Sequence, residues 1–214
     1  MTSFPHGPDL YCITDRALSR LSNPEQARRF LAGGARVVQL RDKSADEAML
    51  RADADAIRRL TADAAALFIV NDDWRLAAAC GADGVHLGQG DTAPAQVRAA
   101  TAAGFLIGRS THNAGQLAAA LAEPVDYVAV GPVFGTSTKA NADPATGTGL
   151  VAEAARTSPA PIVAIGGISA ANAHAVLAVA PRAWLAVIGA VCAAPDITAA
   201  VLALRATIGA EAAP

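Results

Sequence analysis

Residues 67–108 read LFIVNDDWRLAAACGADGVHLGQGDTAPAQVRAATAAGFLIG. Three short apolar runs punctuate this stretch, at 67–71, 84–87 and 105–108, with Ala-rich segments of helical length at 74–80 and 94–103 between them. Apolar runs that short, without polar alternation, fit strands buried on both faces, as parallel strands are. Strands that alternate with helices build a parallel sheet, because each return to the same sheet edge needs a crossover.

The same rhythm extends in both directions. Upstream, strands are predicted at 10–14 and 37–41 and helices at 24–32 and 46–64. Asn23 is the expected N-cap of the first helix, Pro24 its first residue and Gly33-Gly34 its stop. In the second, Met49, Asp53, Ile57 and Leu60 share one side, with Asp53 interrupting the apolar stripe. Downstream come a helix at 114–122, a strand at 126–130, a long loop to Gly149, and strands at 161–165 and 184–188, with helices at 170–179 and 197–208. Eight strand–helix units in 214 residues predict a single α/β domain over residues 1–214, a (β/α)8 barrel. An open doubly wound sheet is the rival arrangement.

Composition narrows the function. Seventeen Lys+Arg against nineteen Asp+Glu give a net charge of −2, without the basic excess of a general nucleic-acid binder. Aromatics at 4% leave little for base stacking. The apolar run 184–194 is too short to cross a bilayer, and the N-terminal residues MTSFPHGPD carry no signal-peptide pattern. Three cysteines make no disulfide framework, which fits a reducing, cytoplasmic setting. The oligomeric state is left open, a homo-oligomer included.

In a barrel of this kind the chemistry sits at the C-terminal ends of the strands, so polar residues that close apolar strands stand out. Gln39 and Arg41 alternate on one face of VVQLRDK, and Lys43 follows in the loop. The third strand ends in Asn71, Asp72 and Asp73, and the fourth leads to Asp91. Either Asp72 or Asp73 serves equally well as an N-cap before Trp74, and Asp91 fits a turn. Alternatively, two carboxylates after neighbouring strands can hold Mg²⁺, which takes one or two carboxylates and fills its remaining positions with phosphate and water.

Ser110 follows the fifth strand, and Thr136, Ser137, Thr138 and Lys139 form an anion-suited cluster in the loop after the sixth. Gly166-Gly167 ends the seventh strand and Ile188-Gly189 the eighth, where barrel enzymes commonly seat a phosphate on backbone N–H groups. His86 suits a hydrogen-bonded core role at least as well as catalysis, and His112 is placed to orient Ser110 or nearby backbone, while His6 and His174 read as peripheral. No His/Cys group has zinc spacing.

Taken together, QLRDK (39–43), VNDDWRLA (70–77), GVHLGQGD (84–91), GRSTHN (108–113), GPVFGTSTK (131–139) and IVAIGGIS (162–169) resemble the thiamine phosphate synthase family. The likeness runs from YCITD at 11–15 to VIGAV at 187–191. It implies a transferase that joins 4-amino-2-methyl-5-hydroxymethylpyrimidine diphosphate to 4-methyl-5-(2-hydroxyethyl)thiazole phosphate, with Mg²⁺ as cofactor. By that resemblance Gln39, Arg41, Lys43 and Asn71 hold the pyrimidine diphosphate, and Asp72 and Asp91 ligate the metal. Ser110 and Lys139 contact the diphosphate or the pyrimidine, and Thr136, Thr138, Gly166, Gly167, Ile188 and Gly189 hold the thiazole phosphate. Arg41, Lys43, Ser110 and Lys139 are the expected catalytic groups, stabilising diphosphate as it departs. The family often carries Pro where this chain has Gly135. A tautomerase-like paralogue and a non-catalytic phosphate sensor are the competing readings; Asp72, Asp91 and Lys139 speak against the first.

Overall fold

A computed structural model describes residues 3–136 and 144–211. Its strands are β1 (Leu10–Ile13), β2 (Val37–Leu40), β3 (Leu67–Asn71), β4 (Gly84–Leu87), β5 (Leu106–Thr111), β6 (Tyr127–Val130), β7 (Ile162–Ile165) and β8 (Trp184–Val187). All pair in parallel and in sequence order, and β8 returns to β1 through Leu10↔Leu185, Tyr11↔Ala186 and Cys12↔Val187. That closure makes a barrel and excludes the open sheet.

The helices are α1 (Arg16–Ser19), α2 (Asn23–Ala32), α3 (Glu47–Asp63), α4 (Trp74–Ala79), α5 (Pro94–Ala100), α6 (Ala114–Leu121), α7 (Gly149–Thr157), α8 (Ala173–Leu177), α9 (Gly189–Cys192) and α10 (Ile197–Glu211). Alternation along each strand divides the core in two. Leu10, Cys12, Val38 and Leu40 face outward to the helices, while Tyr11, Ile13, Val37, Ile69, Leu106, Tyr127, Val163 and Trp184 fill the lumen. Phe4 joins the lumen cluster from the N-terminal segment, its ring stacked 4.3 Å from that of Tyr127.

Four expectations need correction. Ser22, not Asn23, caps α2, its Oγ accepting from the Glu25 N–H. Asn23 is buried and instead donates to both Asp42 and Asp53. β5 continues to Thr111, because Ser110 and Thr111 still pair with Ala129 and Val130 of β6. α8 begins at Ala173, since Ser169 and Asn172 close a turn before it, with the Ser169 N–H donating to Asn172 Oδ1 at 2.8 Å. Ile188 lies beyond β8 as the N-cap of α9, a helix of only four residues.

Candidate active site

A cavity of about 340 Å³ opens at the C-terminal ends of the strands. Its lining includes Gln39, Arg41, Lys43, Asn71, Asp72, Ser110, Thr136, Gly166, Gly167, Ile188 and Gly189. Asp91 does not line it, but its carboxylate lies against that of Asp72 and accepts the Gly88 N–H at 2.6 Å. Thr138 and Lys139, like Ser137, lie outside the described residues.

The β2 end is held from below. Thr14 Oγ1 accepts the Arg41 N–H at 3.0 Å, and the Arg41 guanidinium is 3.6 Å from the Asp15 carboxylate. Arg16 donates to Asp42 at 2.9 Å and to Asp53 at 2.8 Å, tying the loop after β2 to α3. Burial opposes ionisation of Asp42, but donors from Ser44, Asn23 and Arg16 overcome it and hold the carboxyl well below the ordinary range. This explains the interruption in the α3 stripe: Asp53 is buried and accepts from Arg16 and Asn23.

At the β3 end the two adjacent carboxylates divide their tasks. Asp73 caps α4, accepting from the N–H groups of Arg75 and Leu76. Asp72 takes a left-handed backbone conformation, φ 63°, and its carboxylate sits 3.4 Å from the Lys43 ammonium. Burial raises the Asp72 pKa above the ordinary value, the neighbouring Asp91 raises it further, and Lys43 offsets part of this. Such a crowded pair of carboxylates is a fitting seat for a hard cation. Among the described residues no third His, Cys, Asp or Glu joins them.

The lumen holds a polar chain that the sequence reading left unassembled. Gln39 Nε2 donates to Tyr11 Oη at 2.7 Å, Tyr11 Oη lies 2.9 Å from Tyr127 Oη, and Tyr127 Oη lies 3.1 Å from His86 Nδ1. His86 Nε2 is 2.9 Å from Ser110 Oγ. Burial lowers the His86 pKa to about 4, with Arg109 and His112 acting in the same direction and Asp91 opposing them. The available signal was spacing. Tyr11 and Tyr127 share the inward face with Ile13 and Ala129, and Gly108 opposite has no side chain to obstruct Tyr127.

Arg109 was also missed. It points out of the lumen, is buried, and donates to the carbonyls of Gly88 at 2.7 Å and Gln89 at 3.4 Å, bracing the loop that carries Asp91. Of the two partners read for His112, Ser110 or nearby backbone, the structure has backbone: its Nδ1 is 2.5 Å from the Gly131 carbonyl oxygen. On the far wall Gly166 and Gly167 have φ 104° and 63°, conformations that favour glycine.

The sequence and the barrel have counterparts among known proteins. Residues 10–191 match the family model described as thiamine monophosphate synthase. The chain belongs to that family. It is 45% identical over 205 residues to the thiamine-phosphate synthase of Methanoculleus marisnigri, covering 95% of this chain and 97% of the relative. The counterpart from Methanocella arvoryzae is 46% identical over 201 residues, covering 94% of each chain. Among solved structures, the thiamine phosphate pyrophosphorylase from Pyrococcus furiosus superimposes with a TM-score of 0.86 at 33% identity, covering 95% of this chain and 96% of that one. The chain is therefore an enzyme, a transferase of the thiamine-phosphate synthase family. No helix among its described residues is long and apolar enough to cross a membrane.

Proposed function

We propose that the chain joins 4-amino-2-methyl-5-hydroxymethylpyrimidine diphosphate to 4-methyl-5-(2-hydroxyethyl)thiazole phosphate, giving thiamine phosphate and diphosphate. The observation that carries this reading is one cavity with two unlike walls. One presents Arg41, Lys43, Asp72 and Ser110; the other presents glycine-rich backbone at Gly166, Gly167 and Gly189. A diphosphate suits the charged wall and a phosphate monoester the backbone wall.

In this reading the bond between the pyrimidine CH2 and the diphosphate oxygen breaks, its electron pair leaving with diphosphate. The electron-rich aminopyrimidine carries the resulting cation, and the thiazole nitrogen lone pair then forms the C–N bond. Arg41, Lys43 and Ser110 stabilise the departing charge, joined by Lys139 from the loop after β6. Asp72 and Asp91 would hold Mg²⁺, which supplies further positive charge to the diphosphate when bound. Gln39 uses Nε2 on Tyr11, which leaves Oε1 as the end to receive the pyrimidine amino group, with Asn71 beside it. Thr136 and Thr138, with the Gly166-Gly167 turn and the Ile188-Gly189 segment, anchor the thiazole phosphate so that its nitrogen faces the cation.

The three free thiols fit a reducing, cytoplasmic setting, and two of them, Cys12 and Cys192, are buried. The partners in this reading are the two substrates, with no nucleic acid or membrane. The deciding test is turnover of the purified protein with both substrates and Mg²⁺. Thiamine phosphate and diphosphate are expected in equal amounts. Isomerisation of a thiazole without coupling would replace the reading by a tautomerase, and binding without turnover by a sensor.

A further inference from the structure

We propose that the buried chain from Gln39 through Tyr11 and Tyr127 to His86 runs in one fixed direction, and that this direction makes Ser110 a hydrogen-bond donor towards the departing diphosphate. The direction is a property of the protein alone; the last step rests on the synthase reading.

The argument counts hydrogens. An amide NH2 can only donate, so Tyr11 Oη accepts from Gln39 at 2.7 Å. Tyr11 has one hydroxyl hydrogen, and Tyr127 Oη at 2.9 Å is the acceptor placed to receive it. Tyr127 therefore accepts from Tyr11 and gives its own hydrogen to His86 Nδ1 at 3.1 Å. An accepting Nδ1 places the hydrogen of the neutral ring on Nε2, which donates to Ser110 Oγ at 2.9 Å. Burial favours that neutral ring. The Ser110 hydroxyl hydrogen is then left over, on a side chain that lines the cavity.

The opposite direction would have Ser110 donate to His86 and turn only lone pairs towards an anion. The lumen is shaped to hold these side chains in place. A Cβ at Gly108 would fall on the Tyr127 phenol, and Phe4 stacks on the Tyr127 ring. Tyr11, Tyr127 and His86 are thus positioning residues that act through Ser110.

The test uses the full-length, ¹⁵N-labelled protein. Long-range ¹H–¹⁵N correlation at neutral pH is expected to show His86 with a bare Nδ1 and a protonated Nε2; the opposite tautomer overturns the proposal. In the coupling assay, Tyr127→Phe removes one hydroxyl while keeping the ring. It should lower kcat by roughly tenfold to a hundredfold, in line with losing one oriented donor, and leave KM for the thiazole phosphate within about twofold. In a Ser110→Ala background the same change should cost nothing further. An equal loss in both backgrounds would mean that Tyr127 acts elsewhere and would overturn the proposal, as would an unchanged kcat. A parent protein inactive with both substrates would sink the synthase reading and the Ser110 step together, and the tautomer would still decide the direction of the chain.

Discussion

At Asp72 a left-handed backbone and a carboxylate crowded by Asp91 both work against stability. Asp and Asn tolerate this conformation better than most side chains, yet nothing in the fold requires a second negative charge beside Asp91. Lys43, the cation 3.4 Å away, is largely exposed and offsets little. The pair therefore makes sense as a cation seat, and stability and function should respond to its loss with opposite signs. In Asp91→Asn the side-chain oxygen can still accept the Gly88 N–H while one of two repelling charges is gone. Metal-free urea unfolding at neutral pH should show an unchanged or higher midpoint, while the Mg²⁺ needed for half-maximal turnover rises by about tenfold or more. A lower midpoint with an unchanged Mg²⁺ requirement would assign Asp91 to the fold. The sequence offered two carboxylates after β3 for a cap or a cation, but not which one capped the helix. That depended on where α4 begins, and a cap is decided by one residue of backbone. The phenols of Tyr11 and Tyr127 were illegible for another reason: in an apolar strand an aromatic reads as core, and their meeting across the lumen joins residues 116 positions apart.

Among the elements, the strands and long helices were legible because period and punctuation agree over several residues. The four-residue helices α1 and α9 were not, because one turn leaves no period to read. α1 nevertheless positions part of the site. Its first residue, Arg16, clamps Asp42 and Asp53 and so fixes the loop between Arg41 and Lys43. Arg16→Ala should destabilise the protein by about 1–3 kcal/mol, the worth of charged hydrogen bonds at a partly exposed site. It should also raise KM for the pyrimidine diphosphate more than KM for the thiazole phosphate. Equal rises would show that the loop serves both substrates. The Gly166-Gly167 turn was read as backbone approaching a phosphate, and the structure adds a second demand. A Cβ on Gly167 would stand 2.5 Å from the Gly135 carbonyl oxygen and 2.9 Å from Phe134 Cβ, so the turn also packs against the loop after β6. Gly167→Val should therefore raise KM for the thiazole phosphate strongly and displace that loop as well, with a stability loss of at least about 1 kcal/mol from the positive φ alone. The check is kcat/KM for the thiazole with and without its phosphate: the parent should favour the phosphorylated form, and the variant should narrow the gap. An unchanged preference in a folded variant would move the phosphate to another wall.

Across the whole molecule, closure makes the lumen a single packed body, and the polar chain lies where the rings that fill its lower half meet the floor of the cavity. Phe4, Tyr11, Tyr127 and Trp184 bury one another, and the His86 ring stacks 5.6 Å from that of Tyr127. A protonated His86 would be a desolvated cation in this setting, and both of its ring nitrogens already have partners. Its folded pKa of about 4 lies below the ordinary 6.5. Between those values the unfolded chain binds a proton that the folded chain does not. The sign follows: stability is fully present above the unfolded pKa and is lost as pH falls towards the folded one. The loss over that window is about 3 kcal/mol, a shift of this size converted at 1.36 kcal/mol per pH unit. Asp42, held low by its donors, contributes its own loss only at more acid pH. Comparing the parent with His86→Asn, which has no proton to bind, separates this effect from the background titration of the carboxylates. Urea midpoints measured from pH 7 down to about 4.5 should fall more steeply for the parent, so that the two stabilities converge on acidification even though the variant starts lower at neutral pH. Parallel curves would mean that water entering from the cavity, whose lining includes His86, charges the ring at little cost despite its burial.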